Sequence, residues 1–397
     1  MLRLLTVLFV LCCVPLAHAD ARFDRFLESE VWPQARSAGV ERATFETALR
    51  GVTPDTSLPG LGQAVKGPNY QAEFKSPARY FRGVESLAGT GRKLARRHAS
   101  TLETIERRTG VPGRIVLAIW ARESAFGSAR IPHDAVRVLA TRAYLDRRRD
   151  FYLREFVGAL RILERGDVSR GAMRSSWAGA MGQPQFMPTS FLEHAVDFDG
   201  DGRRDIWNSV PDTLASIANY LKNFGWERGR DWGYEASVPP SVSCALEGPD
   251  GMRRFSEWAG AGVTRASGRP LPGKEMGKRG SLLMPAGRRG PGFIATPNFY
   301  AIKKYNNSDL YALFVGNLAD RIEYGSGAFR APWGAAAGLT RGQVRAMQEA
   351  LIAQGHDVGG ADGLAGFKTR RSIGRFQRAA GMGETCWPDR TLAQRLR

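Results

Sequence analysis

Arg114-Ile-Val-Leu-Ala-Ile-Trp-Ala-Arg-Glu-Ser-Ala-Phe-Gly127 reads as a helix with an acid near its end. Ile115, Ile119 and Glu123 fall at steps of four, and Val116, Trp120 and Glu123 at four then three, so the carboxyl projects from the apolar face. Desolvation there favours the neutral form of Glu123 and raises its pKa toward that of a general acid working near neutrality. The alternative is an exposed glutamate paired with Arg122 or Arg130, the commoner fate of this residue type. Gly110-Val-Pro112 supplies a turn and a proline suited to the start of the helix.

Upstream, residues 20–108 alternate apolar and basic side chains at helical spacing, as in Tyr80-Phe-Arg-Gly-Val-Glu-Ser-Leu-Ala88, and predict several short helices. Downstream, a helical run is expected over 136–164, with Phe151, Phe156, Leu160 and Leu163 toward a core and Arg147 to Arg149 facing solvent. From Ser175 to Pro188 glycine, alanine and proline predict a loop-rich wall. A helix is expected over 213–224, with Leu214, Ile217, Ala218 and Leu221 at core spacing. Between 236 and 292 the pattern weakens into an irregular insertion, with short strands expected at 236–242 and 292–296. A helix over 309–324 closes the larger unit, 325–338 reads as a linker, and the remaining residues form a separate small module. The fold class is therefore mainly α, of the α+β kind.

The first nineteen residues have a short positive start at Arg3, an apolar run from Leu4 to Leu16, and the small-x-small sequence Ala17-His-Ala19. They predict a signal peptide cleaved after Ala19 and a periplasmic protein. Cys12 and Cys13 are preceded by Leu11 and Cys12 rather than a small residue, so no lipid anchor is expected, nor is a membrane span. Cys244 and Cys386 survive cleavage and either pair or remain free thiols. The 397-residue chain carries a formal net charge of +18, which favours a polyanionic partner. Export argues against nucleic acid and leaves anionic lipid or a cell-wall polymer bearing carboxylates.

Ser175-Ser-Trp-Ala-Gly-Ala-Met-Gly-Gln-Pro-Gln-Phe-Met-Pro-Thr-Ser190 is the strongest signal in the chain. Together with Trp120-Ala-Arg-Glu-Ser-Ala-Phe-Gly127 and Phe299-Tyr-Ala-Ile-Lys-Lys-Tyr-Asn306, it resembles the lytic murein transglycosylase B family. That resemblance covers most of residues 70–325. It implies a lysozyme-like core, about 111–235 and 293–325, within a catalytic region 20–328, followed by a linker 329–338. It also implies peptidoglycan as substrate, with Glu123 as sole acid/base cutting the β-1,4 bond between N-acetylmuramic acid and N-acetylglucosamine. A hydrolase would need a second carboxylate, about 5 Å away as nucleophile or about 6.5 to 9.5 Å away to activate water. No second acid stands out in these motifs. One glutamate suffices if it protonates the leaving oxygen and then accepts the proton of the sugar's own C6 hydroxyl as that closes on C1, giving a 1,6-anhydro product. Two other readings stand beside it: a water-using muramidase on the same scaffold, and a non-catalytic wall-binding scaffold.

The resemblance carries over further positions one at a time. Ser176 and Gln185 match polar residues around the sugar next to the cleaved bond, and Phe186 an aromatic wall there. Tyr220, Tyr305, Asn306 and Tyr311 match groove positions, where rings stack on sugars and amides bond their rims. For each tyrosine the alternative is a core ring with a satisfied hydroxyl. No organic cofactor is expected. The expected partners are glycan strands of peptidoglycan and wall-synthesis complexes, and the expected state is a monomer.

Asp197-Phe-Asp-Gly-Asp-Gly-Arg-Arg-Asp-Ile-Trp-Asn208 reproduces the start of an EF-hand loop, with Asp197, Asp199 and Asp201 at positions one, three and five and the Arg203 carbonyl at seven. Asn208 replaces the bidentate acid at twelve; Asp205 could contribute directly or through water, and Asp212 could replace the missing acid in an extended loop. The family resemblance implies one structural calcium ion here; the alternative is a metal-free turn held by Asx bonds.

Val344, Met347, Leu351 and Ile352 mark apolar helix positions in the last module, 339–397. Asp362-Gly363, Gly366, Thr369-Arg370, Ile373 and Phe376-Gln377 resemble the small helical peptidoglycan-binding domain often fused to wall enzymes. Most of these residues make the fold rather than bind. The usual Asp-Gly before the final helix is replaced by Glu384-Thr-Cys-Trp-Pro388.

Overall fold

Asp146 interrupts what periodicity presents as one helix over 136–164. Its backbone is extended, one carboxylate oxygen takes Arg142 Nη1 at 2.6 Å, and the other accepts the Arg148 amide at 2.9 Å. The segment therefore forms two helices, Ala135–Leu145 and Arg149–Glu164. Phe156 and Leu160 reach the core, whereas Phe151 and Leu163 are half-buried. Arg147 and Arg148 face solvent as expected, but Arg149 pairs with Glu30 at 2.6 Å.

The computed structural model describes residues 21–61, 77–334 and 338–396, so the leader expected at 1–19 lies outside them. The chain divides into two compact units, Met1–Val65 with Ile131–Glu193, and Lys66–Arg130 with His194–Arg397. In the first unit the short helices Ala21–Phe26, Trp32–Ser37 and Arg42–Leu49 bury Phe23, Phe26 and Phe45. Phe23 and Phe26 each stand 5.3 Å from the ring of Tyr144. The Gly-rich wall is a tight antiparallel turn: Arg174–Ser175 pairs with His133–Asp134, Ser175 bridges Met181, and Met181 bridges Phe186. Thr189, just beyond, gives its amide and hydroxyl to the buried Glu155 at 2.9 and 2.8 Å, which fixes the exit of the turn.

In the second unit the acid-bearing helix is Gly113–Ser124. Every residue from Ile115 to Ala121 is at most 4% exposed, so this helix is buried nearly all round rather than along one stripe. It packs on Val84–Arg97, Val210–Asn223 and Asp309–Tyr324. The last of these has the expected bounds, while the helix expected over 213–224 starts three residues earlier, where Ser209 caps it and Pro211 occupies its first turn. Gly91 allows Val84–Arg97 to approach the closing helix: a Cβ there would stand 2.6 Å from Ile322 Cδ1.

The segment read as an irregular insertion is an ordered sheet. Five strands lie in the order Arg253–Arg254, Arg279–Leu283, Gly292–Ala295, Gly233–Ser237 and Thr264–Arg265, and all neighbours are antiparallel. The strand expected at 236–242 is shifted to 233–237 because Pro239 and Pro240 cannot donate to a ladder. Phe255, Trp258, Leu282 and Ile294 form its core together with Cys244 and Cys386.

The last module has helices Arg341–Ala353, Phe367–Ala379 and Arg390–Arg395 around Met347, Leu351, Val358, Ile373, Leu392 and Leu396. Val344, Met347 and Leu351 are buried as expected, but Ile352 is 47% exposed. Nor does the module stand apart. Cys386 is disulfide-bonded to Cys244 in the insertion, and Gly374 is required opposite it, since a Cβ there would fall 2.4 Å from the Cys386 sulfur. The departure at Glu384-Thr-Cys-Trp-Pro388 is thus the attachment point. As far as Gly334, the stretch read as a linker is a packed strap: Phe329 meets Phe81 and Phe293 edge-on, Trp333 stacks on Phe81, and the amides of Arg330 and Ala331 donate to Glu235.

Candidate active site

The acid-bearing helix ends one residue after Glu123 because Ala125 and Phe126 take left-handed conformations, with φ of 49° and 60°. Two consecutive non-glycine residues in that region are strained, a cost that concentrates at functional sites. The Ser124 hydroxyl accepts the Gly127 amide at 3.1 Å, and Phe126 folds back edge-on against Trp120. Glu123 is left half-buried at the end of an apolar cylinder.

Tyr311 donates its hydroxyl to Glu123 Oε1 at 2.5 Å. Tyr305 lies parallel to Tyr311, with ring centres 6.5 Å apart, and Tyr220 is 4.8 Å beyond it. Arg122 does not pair with the acid as an exposed glutamate would require; its guanidinium lies over the rings of Tyr80 and Phe314 at 4.5 and 5.0 Å. Burial pushes Glu123 up to about 7, against the Tyr311 hydrogen bond and the Arg122 charge, which both favour the carboxylate. The same burial, together with the nearby Glu123 charge, holds the Tyr305 and Tyr311 hydroxyls well above their ordinary range, so both stay protonated donors. A carboxyl poised near neutrality, with a phenol fixed on one oxygen, can give up and take back a proton.

The expected site residues divide between the two units. Glu123, Tyr220, Tyr305, Asn306 and Tyr311 belong to the second. Tyr220 is buried, and its hydroxyl donates to the Lys304 carbonyl at 2.7 Å, so it supports Tyr305 from behind rather than offering an open face. Asn306 is exposed and ends the helix Pro297–Tyr305, its side-chain oxygen accepting the Ser308 amide at 3.2 Å. Tyr311, expected only as a groove position, is the direct partner of the acid; 188 residues of chain separate the two, and no local signal reports such a contact. Ser176, Gln185 and Phe186 lie together on the tight turn of the first unit. The Ser176 hydroxyl accepts the Ala180 amide at 3.2 Å, and Gln185 holds a φ of 54° while its side-chain amide donates to the Gly182 carbonyl at 2.9 Å. Phe186 is 2% exposed, so it is a core ring rather than the wall expected of it.

The acidic loop brings carboxylate oxygens of Asp197, Asp199 and Asp212 within 4.8 Å of one another. Asp212 is fully buried, and its two oxygens accept the amides of Phe198 and Asp205, each at 2.8 Å. Burial pushes its carboxyl up, and the Asp199 charge adds to this. Three converging hard oxygen donors that repel one another fit a divalent cation such as calcium. Asp201 and Asp205 stand outside this group, their oxygens accepting backbone amides of Arg203, and of Trp207 and Asn208. Of the expected set of Asp197, Asp199, Asp201, Arg203, Asp205 and Asp212, the three side chains that converge are thus Asp197, Asp199 and Asp212.

Among known proteins, the family model described as the transglycosylase SLT domain matches residues 22–320, and a peptidoglycan binding domain model matches residues 340–396. The membrane-bound lytic murein transglycosylase B of Escherichia coli strain K12 is 32% identical over 316 residues, 76% of this chain and 78% of that protein. SltB3 from Pseudomonas aeruginosa, solved in complex with NAG-NAM-pentapeptide, is 38% identical and superposes with a TM-score of 0.83 over 94% of this chain and 99% of that one. The Escherichia coli transglycosylase Slt35 in complex with calcium has a TM-score of 0.56 at 24% identity over 77% of this chain and 93% of that one, which speaks for the fold alone. The lysozyme-like, mainly α architecture expected from sequence is borne out. A strained helix end that presents a near-neutral acid, within a chain matched over most of its length by these enzymes, shows that the protein belongs to the transglycosylase SLT domain family and is a lytic transglycosylase of peptidoglycan.

Proposed function

We propose that the protein cleaves the β-1,4 bond between N-acetylmuramic acid and N-acetylglucosamine without water, leaving 1,6-anhydro ends, with Glu123 as the only acid and base. The observation that carries this reading is the place of Glu123 at the end of a buried apolar helix with the Tyr311 hydroxyl on its Oε1, where burial pushes its carboxyl up to about 7. Tyr311 and Arg122 are the groups that act on it, and both favour the carboxylate against that burial. Tyr311 donates to Oε1, so the proton of the neutral acid sits on Oε2 and is delivered from there to the leaving O4. The carboxylate so formed is stabilised by the same phenol and by the Arg122 charge. It then accepts the proton of the C6 hydroxyl as O6 bonds to C1, which restores the acid and consumes no water. The 2-acetamido group can assist at C1 before that closure.

Tyr305 and Asn306, with Ser176 and Gln185 on the Gly-rich turn, are assigned to the sugars flanking the cleaved bond. Asp197, Asp199 and Asp212 would hold a calcium ion that ties down the loop ahead of the helix carrying Tyr220, a structural and not a chemical part. The C-terminal module binds the polymer and raises the local substrate concentration. The disulfide fits an oxidising compartment, in keeping with export of a chain trimmed after Ala19. Among the described residues no helix is long and apolar enough to cross a membrane.

Mass spectrometry of digested sacculi tests the reading. Anhydro-muropeptides are expected; reducing ends would indicate a muramidase, and no turnover by folded, calcium-supplied protein an inert scaffold. Glu123→Gln is expected to keep the fold and lower turnover by about 10² to 10⁴. Near-wild-type activity in that variant would remove Glu123 from the chemistry.

A further inference from the structure

Tyr305 and Tyr311 beside Glu123 come from two helix ends: Pro297–Tyr305 finishes on Tyr305, and Asp309–Tyr324 begins two residues before Tyr311. Both ends are held by charge. Lys303 Nζ meets Asp309 Oδ1 at 2.7 Å, and Asp309 Oδ2 takes Arg370 Nη2 at 3.1 Å. Arg370 is 3% exposed and grips Glu247 with two prongs, at 2.8 and 2.9 Å. Arg370 belongs to the module helix Phe367–Ala379 and Glu247 to the insertion, so three parts of the chain converge on the first residue of the helix that carries Tyr311. Burial works against the Asp309 carboxylate, and Lys303 and Arg370 overcome it, holding it below the usual carboxylate range. A buried network of this kind tolerates little displacement, because any member that moves leaves a desolvated charge uncompensated. The planar guanidinium fork fixes direction as well as distance.

We propose that Arg370, a residue of the C-terminal module, is a positioning residue for bond cleavage: through Asp309 it fixes the start of the closing helix, and with it the Tyr311 hydroxyl against Glu123. The module then completes the scaffold of the acid in addition to gripping the wall. This rests on Glu123 being the acid, so Glu123→Gln is measured alongside.

The test uses full-length protein and soluble peptide-bearing glycan oligomers, on which tethering to an insoluble wall plays no part. Rates are followed across pH, with thermal melts to confirm folding. Arg370→Gln is expected to lower kcat roughly 2- to 30-fold with a smaller change in KM. It should also move the alkaline limb of kcat/KM upward, because loosening the Tyr311 bond disfavours the carboxylate. Arg122 on the same helix as Glu123, Tyr305, and Tyr80 beside Tyr311 also face this site and are unaltered by the substitution. Arg370→Lys should recover part of the loss, and Arg371→Ala, which removes the pair with the exposed Asp250 and the contact over the Phe367 ring but nothing at Asp309, should match wild type. Asp309→Asn severs the clamp while leaving Arg370 on Glu247, and decides the matter if Arg370→Gln does not fold. Wild-type kcat and pH profile on soluble oligomers in the folded variant would overturn the proposal, even if binding to sacculi falls. An inactive Glu123→Gln beside an unaltered Arg370→Gln would sink this inference alone; an active Glu123→Gln would sink the proposed chemistry itself.

Discussion

At the scale of the residue, burial of the Glu123 carboxyl makes stability depend on its protonation. Its pKa is raised by burial from 4.5 to about 7, so the folded protein binds this proton more tightly than the unfolded chain does. Stability from this group is therefore full below the unfolded value and declines as pH rises through the interval up to about 7. Glu123→Gln should melt higher than wild type at pH 8 and show a smaller difference at pH 4; an equal difference at both would mean that the acid is not desolvated. Tyr311 opposes burial by bonding the carboxylate form. Tyr311→Phe, nearly isosteric, should shift the alkaline limb of kcat/KM upward by roughly 1 to 2 pH units and lower turnover, as read from a pH-rate profile. At this scale helical spacing placed the Glu123 carboxyl on the apolar face but left an exposed, arginine-paired glutamate open, and only the resemblance of its motif to the transglycosylases implied an acid. Its partner was not legible: a tyrosine among hydrophobes reads equally well as core, and only the meeting of Gly113–Ser124 with Asp309–Tyr324 tells the two apart.

At the scale of the element, local chemistry was readable where the chain acts on itself. The acidic loop shows this, since Asp197 accepts the amides of Gly200 and Gly202 within its own turn, at 2.7 and 2.9 Å. The role of Asp212 depends on the helix Val210–Asn223 returning its first turn to that loop, which spacing only suggests. Calcium added to chelator-treated protein should raise Tm, by the equivalent of about 2.7 kcal/mol at a hundredfold excess over Kd. Asp212→Asn should abolish that response and cost about 1 to 3 kcal/mol even without the ion, because an amide cannot accept both backbone N–H groups. An unchanged Tm on adding calcium would leave the loop as a metal-free turn. The sheet of the insertion was only partly visible for a related reason. Its strands are two to five residues long, too short for alternation to register, and they are ordered by pairing across the sequence.

At the scale of the whole molecule, the apparent tether between enzyme and module gives way, within the second unit, to covalent and ionic attachment. The disulfide joins residues 142 apart in sequence, a long loop whose closure restricts the unfolded chain. Reduction, or Cys244→Ser with Cys386→Ser, should lower stability by about 2 to 5 kcal/mol in a denaturant titration. If the midpoint does not move, the bond adds nothing to the attachment already supplied by Arg370 and Glu247. Composition identified 325–338, a packed strap as far as Gly334, as a linker because glycine, alanine and proline dominate it. Phe329 and Trp333 decide otherwise by finding aromatic partners that lie far off in the chain.

Sequence by itself determined most of the helices, the Glu123 carboxyl on an apolar face, the Gly-rich motif, the acidic loop and the two family modules, because each is written in contiguous residues whose spacing or side-chain chemistry acts locally. Tertiary structure alone decided which tyrosine holds Glu123, which three carboxylates converge, that the cysteines pair, and that a module arginine reaches the helix behind the acid. These are contacts between segments distant in the chain, and burial, which gives each of them its strength, exists only once those segments have met.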